Sequence, residues 1–349
     1  MLWGSPARSR SFRRSLAAES DCERWHARLG CAALPFEFRV GVDENGLGAR
    51  LGPLVVTAVL ARVNDRGRRT LSRPLPRAIR ADLDDSKRLM SHTDVALGEA
   101  WARALVQPAV SSPAELFEQL SLEGPSKLKK PCESHVRGQC WHDAEEAFLA
   151  NATDVARVAK HRVALAERGV EILSVRSSVV CTKTLNEAKQ RGTNRFVADL
   201  HAMESLVLRA RVEAGADVEA VCGKVGGIAE YSKFFGPLSG RLHAILGEGR
   251  ARSGYRFPGL GEIHFVRDAD ADDPLVSLSS MVGKYVRELF MSRIGQHYSD
   301  QESEDKRPSG YHDPVTAGFV LRSALLRRKR KIPDHCFERE RVAEPMDGA

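Results

Sequence analysis

The clearest hydrophobic alternation along the chain opens at Phe36. Phe36, Phe38, Val40 and Val42 alternate with Glu37, Arg39 and Gly41, the period of a strand with one buried face. The run closes in Asp43-Glu44-Asn45-Gly46-Leu47-Gly48, whose glycines permit a tight turn. Leu54–Val63 is a β-branched run that predicts a second, buried strand, with Asn64-Asp65-Arg66-Gly67 as its turn. Over Ser91–Leu105 the period lengthens: Leu97, Trp101 and Leu105 recur at four-residue spacing behind Ser91 or Thr93 as N-cap, which predicts a helix. Asp143–Glu167 and Asn194–Glu213 are again helical, the latter with Val197, Leu200, Met203 and Leu206 in register, and Val170–Val180 between them is strand-like. Val218–Cys222 and Ile263–Val266 predict short strands. Pro274–Arg293 carries one apolar stripe through Leu275, Leu278, Val282, Tyr285, Val286 and Leu289 and predicts a long helix.

Strands lead, one β-β hairpin stands near the start and helices follow. That order predicts an α/β domain with a mixed central sheet flanked by helices. Residues 1–35 are polar and basic without a period and read as a tail ahead of a domain over 36–325. Residues 106–142, with weak periodicity, read as an inserted segment of short helices. Residues 301–310 (QESEDKRPSG) read as a linker, and 326–349, which open on the basic run Arg327–Lys331, as a charged C-terminal tail.

Composition refines this only slightly. The 349 residues are 42% hydrophobic and 28% charged, a globular balance that excludes disulfide miniproteins and collagen-like chains. A net charge of +7 permits a nucleic-acid partner without requiring one. No window of about 18 apolar residues suggests a membrane span, and the Arg- and Ser-rich N-terminus has no apolar core of a secretory signal. Seven cysteines at low density then predict free thiols and a cytoplasmic protein.

The chemistry concentrates at Asp43-Glu44. Asp43 falls on the Gly41 face of its strand and Glu44 on the other, so the two approach one ion only because the strand ends there. Carboxylate oxygens suit Mg²⁺ or Mn²⁺; taken alone, such a pair is more often a solvated strand end. Cys132, His135, Cys140 and His142 are zinc-ligand types within eleven residues, but their spacing fits no zinc finger and reads more simply as a free-thiol loop. Walker A, dinucleotide and Gly-x-Ser-x-Gly motifs are absent from the sequence.

The stretch Gly41-Val42-Asp43-Glu44-Asn45-Gly46-Leu47-Gly48, followed by Gly52-Pro53, resembles the opening motif of type 2 ribonuclease H enzymes (ribonuclease HII-like). Three further blocks stand in the family's order: Asp85-Ser86-Lys87-Arg88-Leu89, the helix around 194–214, and Ser279-Ser280-Met281-Val282-Gly283-Lys284-Tyr285-Val286-Arg287-Glu288-Leu289. The resemblance runs from about Phe36 to about Leu325.

It implies a ribonuclease H-like fold and a metal-dependent endonuclease that hydrolyses the RNA strand of RNA/DNA hybrids, leaving 3′-OH and 5′-phosphate ends. It further implies Mg²⁺ or Mn²⁺ held by carboxylates in a two-metal arrangement. By motif match Asp43 and Glu44 are catalytic metal ligands, and Glu288 stands where the family carries Asp on the long helix. The implied partner is an RNA/DNA hybrid or ribonucleotide-containing DNA, with no membrane and no obligate protein partner. The turn Gly46, Leu47 and Gly48 would read the ribose 2′-OH. Lys87 would meet a phosphate; Arg88, Lys224 and Arg287 are weaker candidates for the same task. Phe319 stands in the region where the family holds a tyrosine, with Tyr311 nearby.

The third carboxylate of the family falls at Cys222 or Gly223, neither of which is an acid. Asp268, Asp270, Asp272 and Asp273 stand before the long helix, as substitutes or, more simply, as a solvated loop capping it. The missing acid keeps open a second reading, a ribonuclease H-like protein that binds nucleic acid without cutting it, and a third, a nuclease acting on other structured nucleic acids.

Overall fold

Strand β1 (Phe38–Asn45) pairs antiparallel with β2 (Leu54–Val63), from Phe38↔Arg62 to Asn45↔Val55. Strand β3 (Val170–Val180) adds antiparallel to β2, and β4 (Val218–Gly223) lies parallel on the other side of β1. Strands β5 (Ala244–Gly247), β6 (Arg252–Phe257) and β7 (Gly261–Val266) extend the sheet, β7 running parallel to β4. The order is β3-β2-β1-β4-β7-β6-β5. The expected mixed sheet with helices on both faces is therefore what the chain builds. This computed structural model describes residues 36–142, 146–224, 228–298 and 307–340, and the chain from Glu37 onward forms one compact unit.

Helices α1 (Ala96–Leu105), α2 (Ala152–Glu167) and α4 (Pro274–Tyr298) cover one face, and α3 (Arg195–Ala214) covers the other. Strand β2 shows why both faces are dry. Val55, Val59, Ala61 and Val63 join the α1–α2–α4 core, while Leu54, Val56, Ala58 and Leu60 join the α3 core. A strand apolar on both faces is the mark of a covered sheet.

Helix α4 sits closest. A Cβ on Gly41 would come within 2.3 Å of the Leu275 carbonyl carbon and 2.5 Å of the Val276 nitrogen. A Cβ on Gly283 would fall 2.6 Å from Asn45 Nδ2 and 2.9 Å from Thr57 Oγ1. Glycine at both positions lets helix backbone lie on strand backbone, and Asn45 Nδ2 donates to the Ser280 carbonyl at 3.1 Å. On the opposite face α3 begins at the Asn194 cap, whose side chain accepts from Val197 N–H, and ends at left-handed Gly215, φ +68°.

Several expectations need correction. The first helix starts at Ala96, and Ser91 and Thr93 bond within the preceding turn instead of capping it. Asn64 accepts from Gly67 N–H and caps a short helix, Asp65–Leu71, where a bare turn was expected. Helix α2 begins at Ala152 behind the Asn151 cap, not at Asp143, which lies outside the described residues. The segment 106–142 does hold the expected short helices, Pro113–Leu120, Pro125–Lys129 and Gly138–Trp141, and its Leu116, Phe117 and Leu120 belong to the main core. The tail expected over 326–349 is folded as far as Glu340. Leu51 and Glu338 form a β-bridge and Arg339 is 2% exposed, whereas 341–349 lie outside the described residues, as do the tail over 1–35 and linker positions 301–306. Among the described residues no helix is long and apolar enough to cross a membrane.

Replacing Gly41 with Ala should lower stability by about 1–3 kcal/mol, because the added methyl meets helix backbone that cannot move aside. Urea denaturation of Gly41→Ala against wild type measures this; an unchanged midpoint would mean α4 is not seated on β1 in this way.

Candidate functional site

Asp43 and Glu44 lie near the end of β1, on opposite faces of the strand. Asp43 shares the face of Gly41, under α4, and is hydrogen-bonded to Ser280. Glu44 follows Val42 onto the α3 side. The parallel register sets Val42 beside Cys222, so Gly223 comes level with Asp43. A Cβ on Gly223 would lie 2.6 Å from Asp43 Oδ1 and 3.6 Å from Glu44 Oε2. The position facing the acids is therefore Gly223. Cys222 is fully buried in the α3-side core, where burial, with nearby Asp199, Glu204 and Asp43, pushes its thiol well above the usual range. It is a neutral packing group and no soft ligand.

Two other acids join Asp43 and Glu44. Asp270, before α4, lines the same cleft of about 610 Å³ and acts electrostatically on both. Asp199, on α3, has no exposed surface, and both of its carboxylate oxygens are buried without a hydrogen-bond partner. Burial and this concentration of like charge act in one direction. Burial first, then Glu44 and Asp270, hold the Asp43 carboxyl far above the carboxylate range. Burial, then Asp199 and Asp270, push Glu44 up to about 8. Burial, then Asp43, raise Asp199 likewise. The nearest balancing cation is exposed Lys87, whose Nζ lies 3.3 Å from Asp270 Oδ2.

The run of acids expected to cap the long helix divides its work. Asp273 Oδ1 accepts from Leu275 N–H at 2.8 Å and caps α4, and Asp273 Oδ2 pairs with Arg39 at 3.1 Å. Asp270 faces the cleft. The Asp85–Leu89 block is fastened to α4. Asp85 accepts from Lys87 N–H, Ser86 and Ser280 share a hydroxyl bond at 2.9 Å, and Lys284 Nζ donates to the carbonyls of Ser86 and Met90. Lys87 is thereby held at the cleft rim.

Glu288 also lines the cleft, but its carboxylate is already paired. It is 2% exposed, one oxygen is paired with Arg287, and the other lies 3.3 Å from Arg307 Nη2. Its carboxylate is committed to two arginines that carry the 307–311 loop, since Arg287 also donates to the Ser309 carbonyl at 2.9 Å. Phe319 is corrected too. It is 7% exposed and packs with Tyr298 and Phe337 in a separate core. The aromatic group at the cleft is Tyr311, 42% exposed, with the Arg287 guanidinium 4.6 Å from its ring centroid.

The turn Gly46-Leu47-Gly48 lines the cleft beside the acids. Gly46 has φ +88°, and a Cβ there would strike Arg287 Nε at 2.5 Å. Buried Arg339 donates to the carbonyls of Gly46, Leu47 and Gly52, fixing the loop from beneath. Gly48 is exposed with open space above it. Lys224 also lines the cleft, but its ammonium donates to Gly249 O and Ser253 Oγ; Arg88 is paired with Asp84. The Cys/His cluster does not converge. His135 bonds the Lys331 carbonyl, and Cys132 and Cys140 instead line a separate, mainly apolar cavity with Cys181 and Cys336. These cysteines are free thiols.

Sequence reasoning did not single out Asp199. The available signal was its spacing, four residues before Met203 and seven before Leu206, inside the apolar stripe of its helix. The donor chemistry of Asp43, Glu44, Asp199 and Asp270 fits a hard divalent cation: all are carboxylates, mutually repelling, and one is orphaned. The ligating geometry is not formed, because among the described residues no three His, Cys, Asp or Glu side chains already converge to hold a metal ion.

No protein-family model matches the chain. Over 122 residues the sequence is 38% identical to Ribonuclease HII of Acidothermus cellulolyticus, covering 34% of this chain and 36% of that one. The chain thus spans about a third of that relative's length. Among solved structures, the PCNA:RNase HII complex from Archaeoglobus fulgidus contains a chain that aligns with a TM-score of 0.37 at 16% identity, covering 89% of this chain and 98% of that one. Bst-RNase HIII in complex with Mn²⁺ aligns with a TM-score of 0.44 at 13% identity, covering 89% and 68%.

Two predictions follow from these placements. Glu44 is raised from 4.5 to about 8, so the folded metal-free protein keeps a proton that the unfolded chain releases above pH 4.5. Its contribution to stability is complete below pH 4.5 and is lost as pH rises through about 8. Melting temperatures of metal-free protein should fall across that window, and Glu44→Gln should flatten the slope. Phe319→Ala should cost about 3–5 kcal/mol of stability as a core truncation, whereas Tyr311→Ala should leave the urea midpoint nearly unchanged.

Proposed function

We propose that the chain is a divalent-metal-dependent endonuclease of the ribonuclease HII type, which hydrolyses the RNA strand of RNA/DNA hybrids to leave 3′-OH and 5′-phosphate ends. The observation that carries this reading is the cluster of acids Asp43, Glu44 and Asp270, facing a cleft walled by a glycine turn, a rim lysine and an exposed tyrosine. Those are the parts needed to hold a cation against a sugar-phosphate backbone. Asp43, Glu44 and Asp270 would hold Mg²⁺ or Mn²⁺, which supplies Lewis-acid stabilisation of charge at the scissile phosphate.

The chain's own groups do the positioning. The Lys87 ammonium, pinned beside Asp270, gives an adjacent phosphate a counter-charge at the rim. The open backbone at Gly48 lets a sugar edge approach without meeting a side chain. Tyr311, backed by Arg287, presents a ring face and a hydroxyl to a ribose; a 2′-OH is the group by which RNA differs from DNA. Arg287, Arg307 and Arg339 are positioning residues. They hold the 307–311 loop and the glycine turn in place rather than contact the substrate.

A second reading has its own support. Gly223 removes one carboxylate from the β4 edge of the site, which favours a protein that keeps the cleft and binds hybrids without cutting them.

Cleavage of a labelled RNA/DNA hybrid in Mg²⁺ and in Mn²⁺ separates the two. Cutting should be abolished by Asp43→Asn and by chelation. Binding without cutting in either metal would instead establish the second reading. In an active protein, Tyr311→Phe should reduce preference for a ribonucleotide over a deoxynucleotide at the cut site by about 3- to 10-fold, the worth of one hydrogen bond, while Phe319→Tyr should not alter it.

A further inference from the structure

Asp199 is the most expensive side chain in the molecule to explain as structure. It lies in the middle of α3 with no exposed surface, flanked by Leu200 and Ala202, which belong to the α3-side core. Neither oxygen has a hydrogen-bond partner, and among the described residues no lysine, arginine or histidine forms an ion pair with it. A buried carboxylate left this way is strongly disfavoured, and an unsatisfied buried polar group commonly marks an ion or water that belongs beside it. What does lie within its electrostatic reach is the acid site: Glu44 and the thiol of Cys222 feel its charge, and it feels that of Asp43.

Gly223 presents no side chain to Asp43, and Cys222 is held as a neutral thiol, unsuited to a hard cation. The β4 edge therefore offers the site no donor. Helix α3 packs against β1, β2, β3 and β4 from the opposite layer and carries Asp199 within electrostatic reach of Glu44.

We infer that Asp199 is a ligand of the divalent cation, supplying from helix α3 the carboxylate that Gly223 cannot. The inference rests on reading Asp43 and Glu44 as a metal site, and it adds a ligand that no motif in the sequence marks. It also explains why a charge is tolerated inside an apolar helix stripe, because the bound ion is its partner.

The test uses the full chain and Mn²⁺ alone, read by isothermal titration and by the shift in melting temperature on adding the metal. Wild type should bind Mn²⁺ and gain melting temperature. Asp199→Asn should fold, melt without metal at or above wild type, and bind Mn²⁺ at least ~10-fold more weakly. Adding Gly223→Asp to Asp199→Asn should restore binding, since the new carboxylate enters from the β4 edge. If Asp199→Asn does not fold by circular dichroism, Asp199→Ser carries the same comparison. Unchanged Mn²⁺ binding in the Asp199 variant, with binding lost in Asp43→Asn, would overturn the inference and leave the site reading standing. Wild type indifferent to Mn²⁺ and indistinguishable from Asp43→Asn would overturn the site reading, and this inference with it.

Discussion

Everything at the cleft depends on the direct seating of helix α4 on strand β1. Gly41 and Gly283 remove the side chains that would hold the two backbones apart. The close approach brings Ser280 to Asp43 and to Ser86, and Lys284 to the carbonyls of the 86–90 segment. One packing contact thus aligns the strand with the acid pair, the helix that follows Asp270, and the short element that carries Lys87. A wider helix–sheet spacing would separate those groups without altering any of them.

The electrostatics of the molecule are divided in a way that bears on function. Elsewhere, buried acids are answered: Glu262 by Arg256 and His264, Glu99 by two backbone amides and Arg103, Glu288 by two arginines. At the end of β1 the acids face one another, and the cation that acts on Glu44 is the rim lysine, Lys87. A protein that satisfies its buried charges in most places and leaves them opposed in one has placed a demand for positive charge there. Among the described residues, Arg287 and Arg339 at the cleft are spent on carbonyls and on Glu288 and do not meet that demand.

The C-terminal segment completes the turn that borders those acids. Arg339 crosses beneath the loop to bind the Gly46, Leu47 and Gly52 carbonyls, and Glu338 bridges to Leu51. Asn186, on the short helix Thr182–Gln190, donates to the His335 and Glu338 carbonyls and holds that segment down. A stretch whose charge suggested a solvated tail is in fact part of the frame of the site.

By itself the sequence determined the central strands, the long helices and the location of the chemistry. Leu54–Val63 and Val170–Val180 carry a dense apolar pattern, and their observed bounds coincide with those expected. Leu54–Val63 is legible because burial on both faces leaves almost no polar position to confuse the period, and Val170–Val180 because its β-branched residues recur through an edge strand. The Asp43-Glu44 pair before a glycine turn was visible because its residues are contiguous. Short and glycine- or arginine-bearing strands such as Ala244–Gly247 and Arg252–Phe257 were not, since their stability comes from cross-strand pairing rather than from their own pattern. Nor could sequence assign the acids. Glu288 and Asp270 each stand at a plausible spacing and both line the cleft, and only the tertiary structure pairs Glu288 with the arginines at 287 and 307. Asp199 and Phe319 belong to the same class: one is brought to the site by the packing of α3 across the sheet, the other is drawn into a separate core. Contacts between residues far apart in the chain are set by how the layers stack, and that stacking is written in no local period.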